Sequence, residues 1–163
     1  FRNIAIVTDP TTFGTSTVAS DATIRQTFAT KLSSVSGTFT ADEKITQTTT
    51  GAIGKVVEYD STNTILYYHQ ERYSNFGTTS TGAYTAFSGA NVITGATSSA
   101  TGTPDSSADS AVTLTNGFTI TFADGYCNPE LEPDSGNVIY NENKSPIFRA
   151  TDQTEDIKII VEF

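Results

Sequence analysis

Cationic side chains are scarce in this sequence: nine Lys and Arg stand against eighteen Asp and Glu, a formal net charge of −9. That balance repels phosphate backbones and argues against a nucleic-acid face. Its ordinary role is solubility. Cysteine occurs once, as Cys127, so no internal disulfide can form. Cys127 reads as a small buried hydrophobe. Its neighbours in "DGYCNPE" are acids, not the base or cation that a reactive thiol needs. No apolar run approaches the ~20 residues of a membrane helix, so no membrane association is read. Nor does a basic segment lead into an apolar one, so no signal peptide is read. Helical periodicity is nearly missing as well.

What is present is Thr, Ser and Gly, with β-branched and aromatic residues in short runs between turn signals. This is the pattern of an all-β sandwich or barrel. The chain of 163 residues has room for one domain or two small ones. At that size roughly 70% of the unfolded surface can be buried. Strands are predicted at 2–7, 22–32, 44–48, 54–60, 64–70, 91–94, 111–115, 118–123, 137–140, 146–150 and 156–162. In "KVVEYD", strand alternation puts Val56 and Glu58 on one face and Val57 and Tyr59 on the other.

The chain echoes itself. A shift of forty-eight residues lays "FTADEKITQTTTGAIGK" from Phe39 over "FSGANVITGATSSATGT" from Phe87. Ile45 then meets Ile93, Thr46 meets Thr94, Ala52 meets Ala100, Gly54 meets Gly102 and Leu66 meets Leu114. The matched spans are 37–68 and 85–116, which suggests two related β units. The stretch "TPDSSADSA" at 103–111 reads as an exposed loop.

Candidate chemistry is sparse. His69 and Glu71 share a strand face, but a lone His without a nucleophile or motif makes no general base. The acids Asp124, Glu130, Glu132 and Asp134 are too irregular for a calcium loop, and Pro129 and Pro133 favour a rigid surface connection. Carboxylate pairs of the glycosidase kind cannot be recognised from spacing. There is no phosphate loop, zinc spacing or nucleophile elbow, and "GAIGK" serves a turn. The alternating tail "IKIIVEF" has the form of a closing outer-membrane barrel strand, but segments such as "TQTTT" lack the lipid-facing band such a barrel requires. "NENKS" is predicted to turn the chain, and Pro146 to restart it. No catalytic residue, metal ligand or cofactor is assigned.

Both ends carry a resemblance. "FRNIAIVTDP" and "SGNVIYNENKSPIFRATDQTEDIKIIVEF" are similar to the C-terminal region of gene 8-type baseplate wedge subunits of T-even-like contractile-tailed phages. The matching positions include Phe1, Arg2, Pro10, Tyr140, Glu142, Asn143, Pro146, Asp152, Gln153, Glu155 and Phe163. The repeat-bearing middle resembles β modules in structural proteins of marine relatives. On this resemblance the chain is a C-terminal fragment of a longer protein. Its fold is mainly β: an antiparallel β-sandwich core formed by both chain ends, 1–18 and 134–163, with an inserted small β-barrel-like module at 19–133. The resemblance implies a non-enzymatic virion protein of the tail baseplate, assembled in the host cytoplasm. Its partners would be other baseplate wedge proteins, with a homodimer in the full-length protein and no nucleic acid, membrane or cofactor. The alternative is an adhesin-like, glycan-binding β module using an exposed aromatic patch of Tyr67, Tyr68, Tyr73, Phe76 and Tyr84.

Overall fold

A computed structural model describes residues 2–20, 25–71 and 83–144. The predicted strands 146–150 and 156–162 lie outside the described residues, as do Phe1, Arg72, Tyr73 and Phe76. The described chain is mainly β and its strand pairings are antiparallel. In chain order the strands are β1 (Arg2–Thr8), β2 (Phe28–Ser36), β3 (Lys44–Gln47), β4 (Ala52–Asp60), β5 (Ile65–His69), β6 (Ile93–Gly95), β7 (Thr101–Pro104), β8 (Ala111–Thr113), β9 (Thr119–Thr121), β10 (Tyr126–Cys127) and β11 (Asn137–Lys144).

The largest sheet runs β10-β2-β5-β4-β3-β6-β7, and β7 returns to pair with β2. The strands β2, β5, β4, β3, β6 and β7 therefore close into a ring. Closure removes the open edges that a flat sheet would present. Strand β2 makes this possible by its length. Its first half pairs with β5 and, at Ala29 and Thr30, with β10, while Leu32–Ser36 pair with β7. The Ser-rich end of β2 gives little sequence signal, so the predicted strand at 22–32 stops too soon; its residues 25–27 are not strand, and 22–24 lie outside the described residues.

Inside the ring lie Phe28, Leu32, Phe39, Ile45, Val56, Leu66, Tyr68, Phe87 and Ile93. Tyr68 stacks on Phe28, with ring centroids 5.4 Å apart, and meets the edge of Phe87 at 4.9 Å. A second, smaller core lies on the outer face of β2 and β5. There Ile120 and Phe122 of the β8–β9 region cover Ala29 and Ile65. The alternation of strand residues feeds both cores, Leu66 and Tyr68 inward, Ile65 and Tyr67 outward.

The hairpins β3–β4 and β6–β7 carry the same register under the forty-eight-residue shift. Ile45 faces Gly54 as Ile93 faces Gly102, and Thr46 faces Ile53 as Thr94 faces Thr101. The turn positions Gly51 and Ser99 both have positive φ, 79° and 58°. The likeness stops after the hairpins. Leu66 is buried inside the ring on β5, whereas Leu114 packs half-buried in the outer cluster.

Three local expectations need correction. Residues 103–111 do not form one loop: Thr101–Pro104 is β7, and Pro104 is fully buried at the position matching Val56. A proline is tolerated there because the ladder between β2 and β7 is interrupted beside it, between Leu32 and Ser34. In β4 a bulge falls between Val56 and Glu58, so Val57 faces no partner and the alternation shifts by one. Val57 and Glu58 point outward, and Tyr59 returns to the core against Phe39 at 5.7 Å. Finally, Asn141–Lys144 is strand rather than turn, because β1 supplies a partner along its length.

Strands β1 and β11 form a two-stranded ribbon in which Arg2 faces Lys144 and Thr8 faces Asn137. It joins the ring through a short polar connection. Thr12 bridges to Leu131, and the backbone N–H of Phe13 donates to the carbonyl of Glu130 at 2.9 Å. The ring of Phe13 sits edge-on to Phe28, with centroids 6.3 Å apart.

Candidate interaction surfaces

The residues that carry the resemblance gather on the ribbon where they are described. Tyr140 faces Ile6, Glu142 faces Ile4, and Asn143 faces Asn3. Arg2 starts β1, and Pro10 follows β1, its carbonyl accepting from the N–H of Ala19 at 2.8 Å. Pro146, Asp152, Gln153, Glu155 and Phe163 lie outside the described residues, as does Phe1. The entry into β11 is sterically fixed. Gly136 has φ +88°, and a Cβ there would sit 2.6 Å from the carbonyl oxygen of Thr8. A side chain at that position would force the ribbon apart.

The two faces of the ribbon differ. Ala5 and Val7 look toward Leu131, Pro133 and Ser135 of the connection across a cavity of about 560 Å³. Ile4, Ile6 and Tyr140 share the other face by register and are 52%, 52% and 48% exposed. This row of apolar side chains is open to a partner, as are Val138 and Ile139 of β11, each 63% exposed.

Of the predicted aromatic patch, one described member is not exposed. Tyr68 is 2% exposed and belongs to the interior core, because alternation sends it to the opposite face from Tyr67. Tyr84 is half-buried and meets Phe28 edge-on at 5.5 Å. Tyr73 and Phe76 lie outside the described residues. Among the described members of the patch, Tyr67 keeps a half-exposed position on the outer face.

Other singled-out residues have structural partners. His69 Nε2 lies 3.3 Å from Glu71 Oε1 at the end of β5. Glu130 accepts the backbone N–H of Arg25 at 2.9 Å, and Glu132 that of Gly14 at 2.8 Å. These carboxylates cap backbone groups of the connection. Among the described residues no three His, Cys, Asp or Glu side chains converge as a metal set. Cys127 corrects an expectation: a cation does reach it. Arg25 Nη2 donates to Sγ at 3.0 Å from 102 positions away. Burial still pushes the thiol pKa up, and Arg25 only partly offsets that.

A buried polar network escaped the sequence reading. Glu43 is 4% exposed, yet its carboxylate accepts from the N–H groups of Thr40, Thr97 and Ser98 and from the Ser98 hydroxyl, at 2.7 to 2.9 Å. Burial alone would raise its pKa; the bonds from Ser98, Thr40 and Thr97 outweigh that and leave it lowered. Gln47, fully buried, does the parallel work: its Oε1 accepts from the Thr50 hydroxyl at 2.7 Å and from the N–H of Ser88 at 3.0 Å. The signal available in sequence was two of the mismatches in the repeat. Glu43 aligns with Asn91, and Gln47 aligns with Gly95.

Comparisons of this chain with models of protein families, with curated proteins and with solved structures find no match.

Proposed function

We propose that the chain is a structural virion module that joins neighbouring proteins of a tail baseplate wedge through the outer face of its ribbon. The observation that supports this reading is the coincidence of two features on β1 and β11. The ribbon bears Ile4, Ile6 and Tyr140 in an exposed apolar row, and Tyr140 and Glu142 are positions of the resemblance. Rows of this kind serve as contact sites. The ring, with its strands internally paired, acts as a rigid accessory module beside the contact. In this reading the chain does no chemistry, works in the virion tail after assembly in the host cytoplasm, and dimerises as part of its full-length protein.

The test is co-expression with the wedge proteins encoded beside it, followed by affinity capture and size-exclusion chromatography. The native chain should co-elute with a wedge partner. An Ile6→Asp/Tyr140→Asp variant should lose the complex while keeping its melting temperature within about 2 °C. Retention of the complex by that variant, or failure of the native chain to join any wedge protein, would overturn the proposal.

A further inference from the structure

We propose that a cleft on the outside of the ring, between the β4–β5 turn and the β8–β9 hairpin, binds a neutral oligosaccharide. This goes beyond the baseplate reading and does not depend on it. The cleft has two lobes, of about 400 and 220 Å³, and Tyr67, Leu114 and Asn116 line both. Taken as one groove, they fall within the size of small-ligand clefts, roughly 300–1,000 Å³.

Its lining suits a sugar. A pyranose offers a patch of C–H groups on one face and hydroxyls around its rim. Tyr67 stands half-exposed at the junction of the lobes, and Phe118 is 66% exposed at the hairpin tip, the most exposed large apolar residue among those described. An aromatic ring held open to water beside a groove is a ready platform for such a C–H patch. Around these rings are polar groups with no intramolecular hydrogen bond among the described residues: the Tyr67 hydroxyl, Asn116 Nδ2 and the exposed Glu58 carboxylate. Together they supply donors and acceptors to the rim hydroxyls.

The walls are set before any ligand arrives. Asp60 Oδ1 accepts from the N–H groups of Thr62 and Asn63, and Oδ2 from Asn63 Nδ2 at 2.7 Å. Lys31 Nζ donates to the Asn63 carbonyl and to Thr64 Oγ1. On the other side Asn116 Oδ1 accepts from the N–H of Phe118 at 3.1 Å, and Ile120 and Phe122 root the hairpin in the outer core. A preformed site spares the ligand the cost of ordering its walls.

Charge selects the class. Glu58, Asp60 and Glu130 line the cleft. Two cations stand beside them among the described residues: Arg25, whose guanidinium is engaged by the carbonyls of Thr27 and Asn128 and by Cys127 Sγ, and Lys31, whose Nζ is engaged by the Asn63 carbonyl and Thr64 Oγ1. Neither cation has its hydrogen-bonding head directed to a ligand, while the exposed Glu58 carboxylate is open, and this disfavours uronic, sialylated, sulfated or phosphorylated ligands.

The experiment is an amide NMR titration of the full chain with maltohexaose, β-1,4-galactohexaose and chitohexaose, with oligogalacturonate as the anionic control. At least one neutral hexasaccharide should give saturable shifts at Tyr67, Asn116 and Phe118. Phe118→Ala, and separately Asn116→Ala, should weaken that binding by roughly tenfold or more, with the amide spectrum otherwise unchanged. Absence of saturable shifts with all three neutral sugars would overturn the proposal. So would undiminished binding by both variants, or oligogalacturonate binding as tightly. A chain that binds sugar but fails to join wedge proteins would sink the baseplate reading and leave this one standing; the converse result separates them the other way.

Discussion

Thr46 pairs with Thr94 across the seam between β3 and β6, and each is the other's counterpart under the forty-eight-residue shift. An antiparallel pair in which a residue faces its own counterpart has a local two-fold axis running through it. The hydrogen bonds obey that axis. The Thr50 hydroxyl accepts the N–H of Ala52 at 3.2 Å, and its counterpart Ser98 accepts that of Ala100 at 3.1 Å. Each hydroxyl then donates to a buried acceptor at 2.7 Å, Gln47 in one half and Glu43 in the other. The symmetry is kept by function and broken by position, since Glu43 reaches across to fill the space over Gly95.

Glu43 should therefore be the costliest single polar residue to remove. Its carboxylate accepts four bonds from the first and second repeats. Glu43→Ala leaves those donors without a partner, and urea unfolding should show a loss of roughly 3 kcal/mol. Glu43→Gln, which keeps an acceptor, should cost about half as much. Equal stability of Glu43→Ala and the native chain would remove the network from the account of this fold.

Gly95 is the space that Glu43 occupies. A Cβ there would lie 2.7 Å from both carboxylate oxygens and 2.6 Å from Ser98 Oγ. Gly95→Ala should destabilise by about 1–3 kcal/mol. In a Glu43→Ala background two of those three contacts are gone and the Ser98 hydroxyl, freed of its acceptor, can turn away, so part of that cost should vanish. A double-mutant cycle in urea checks this; strict additivity would contradict the contact.

The acid limb of stability follows from the same groups. Glu43 and Asp60 have folded-state pKa values below their ordinary values of 4.5 and 3.8, Asp60 chiefly through the Asn63 side chain. Their contribution is complete above those ordinary values and drains away as pH falls through the lowered ones. Melting temperature measured from about pH 6 down to pH 3 should drop most steeply below pH ~4.5, and Glu43→Gln should flatten that drop. An identical acid limb in the variant would contradict the assignment.

Cys127 should react slowly in the folded chain. Burial raises its pKa, and the Arg25 guanidinium does not fully compensate. At pH ~8 iodoacetamide should modify the native thiol about tenfold more slowly than the denatured one. Comparable rates in the two states would mean that the thiol is neither covered nor held protonated.

Much of the strand order could be read from alternation and turn residues. β3, β4 and β5 follow apolar runs such as "GKVVEY" and "ILYYH", and the echo of Phe39 in Phe87 marked two positions that are both buried, at 4% and 5% exposure. What alternation could not supply was the bulge at Val57, since an extra residue has no signature of its own and turns Tyr59 inward. Nor could it supply β7, whose "TGTP" is apolar-poor and owes its strand to partners on both sides, β6 and β2. The cleft was half legible. Tyr67 stood out as an aromatic on a strand, but Phe118 sits 51 positions later in a Thr-rich hairpin and reaches it only through folding.

The ribbon also fixes how the protein answers a pull. Arg2 and Lys144 face each other at the same end of β1 and β11. Tension applied between them loads the ladder one rung at a time, as a zip, rather than shearing every rung together. The ribbon would open at low force and lengthen the chain while the closed ring behind it stayed whole. A pull on these two residues is thus met by the ribbon before it reaches the ring.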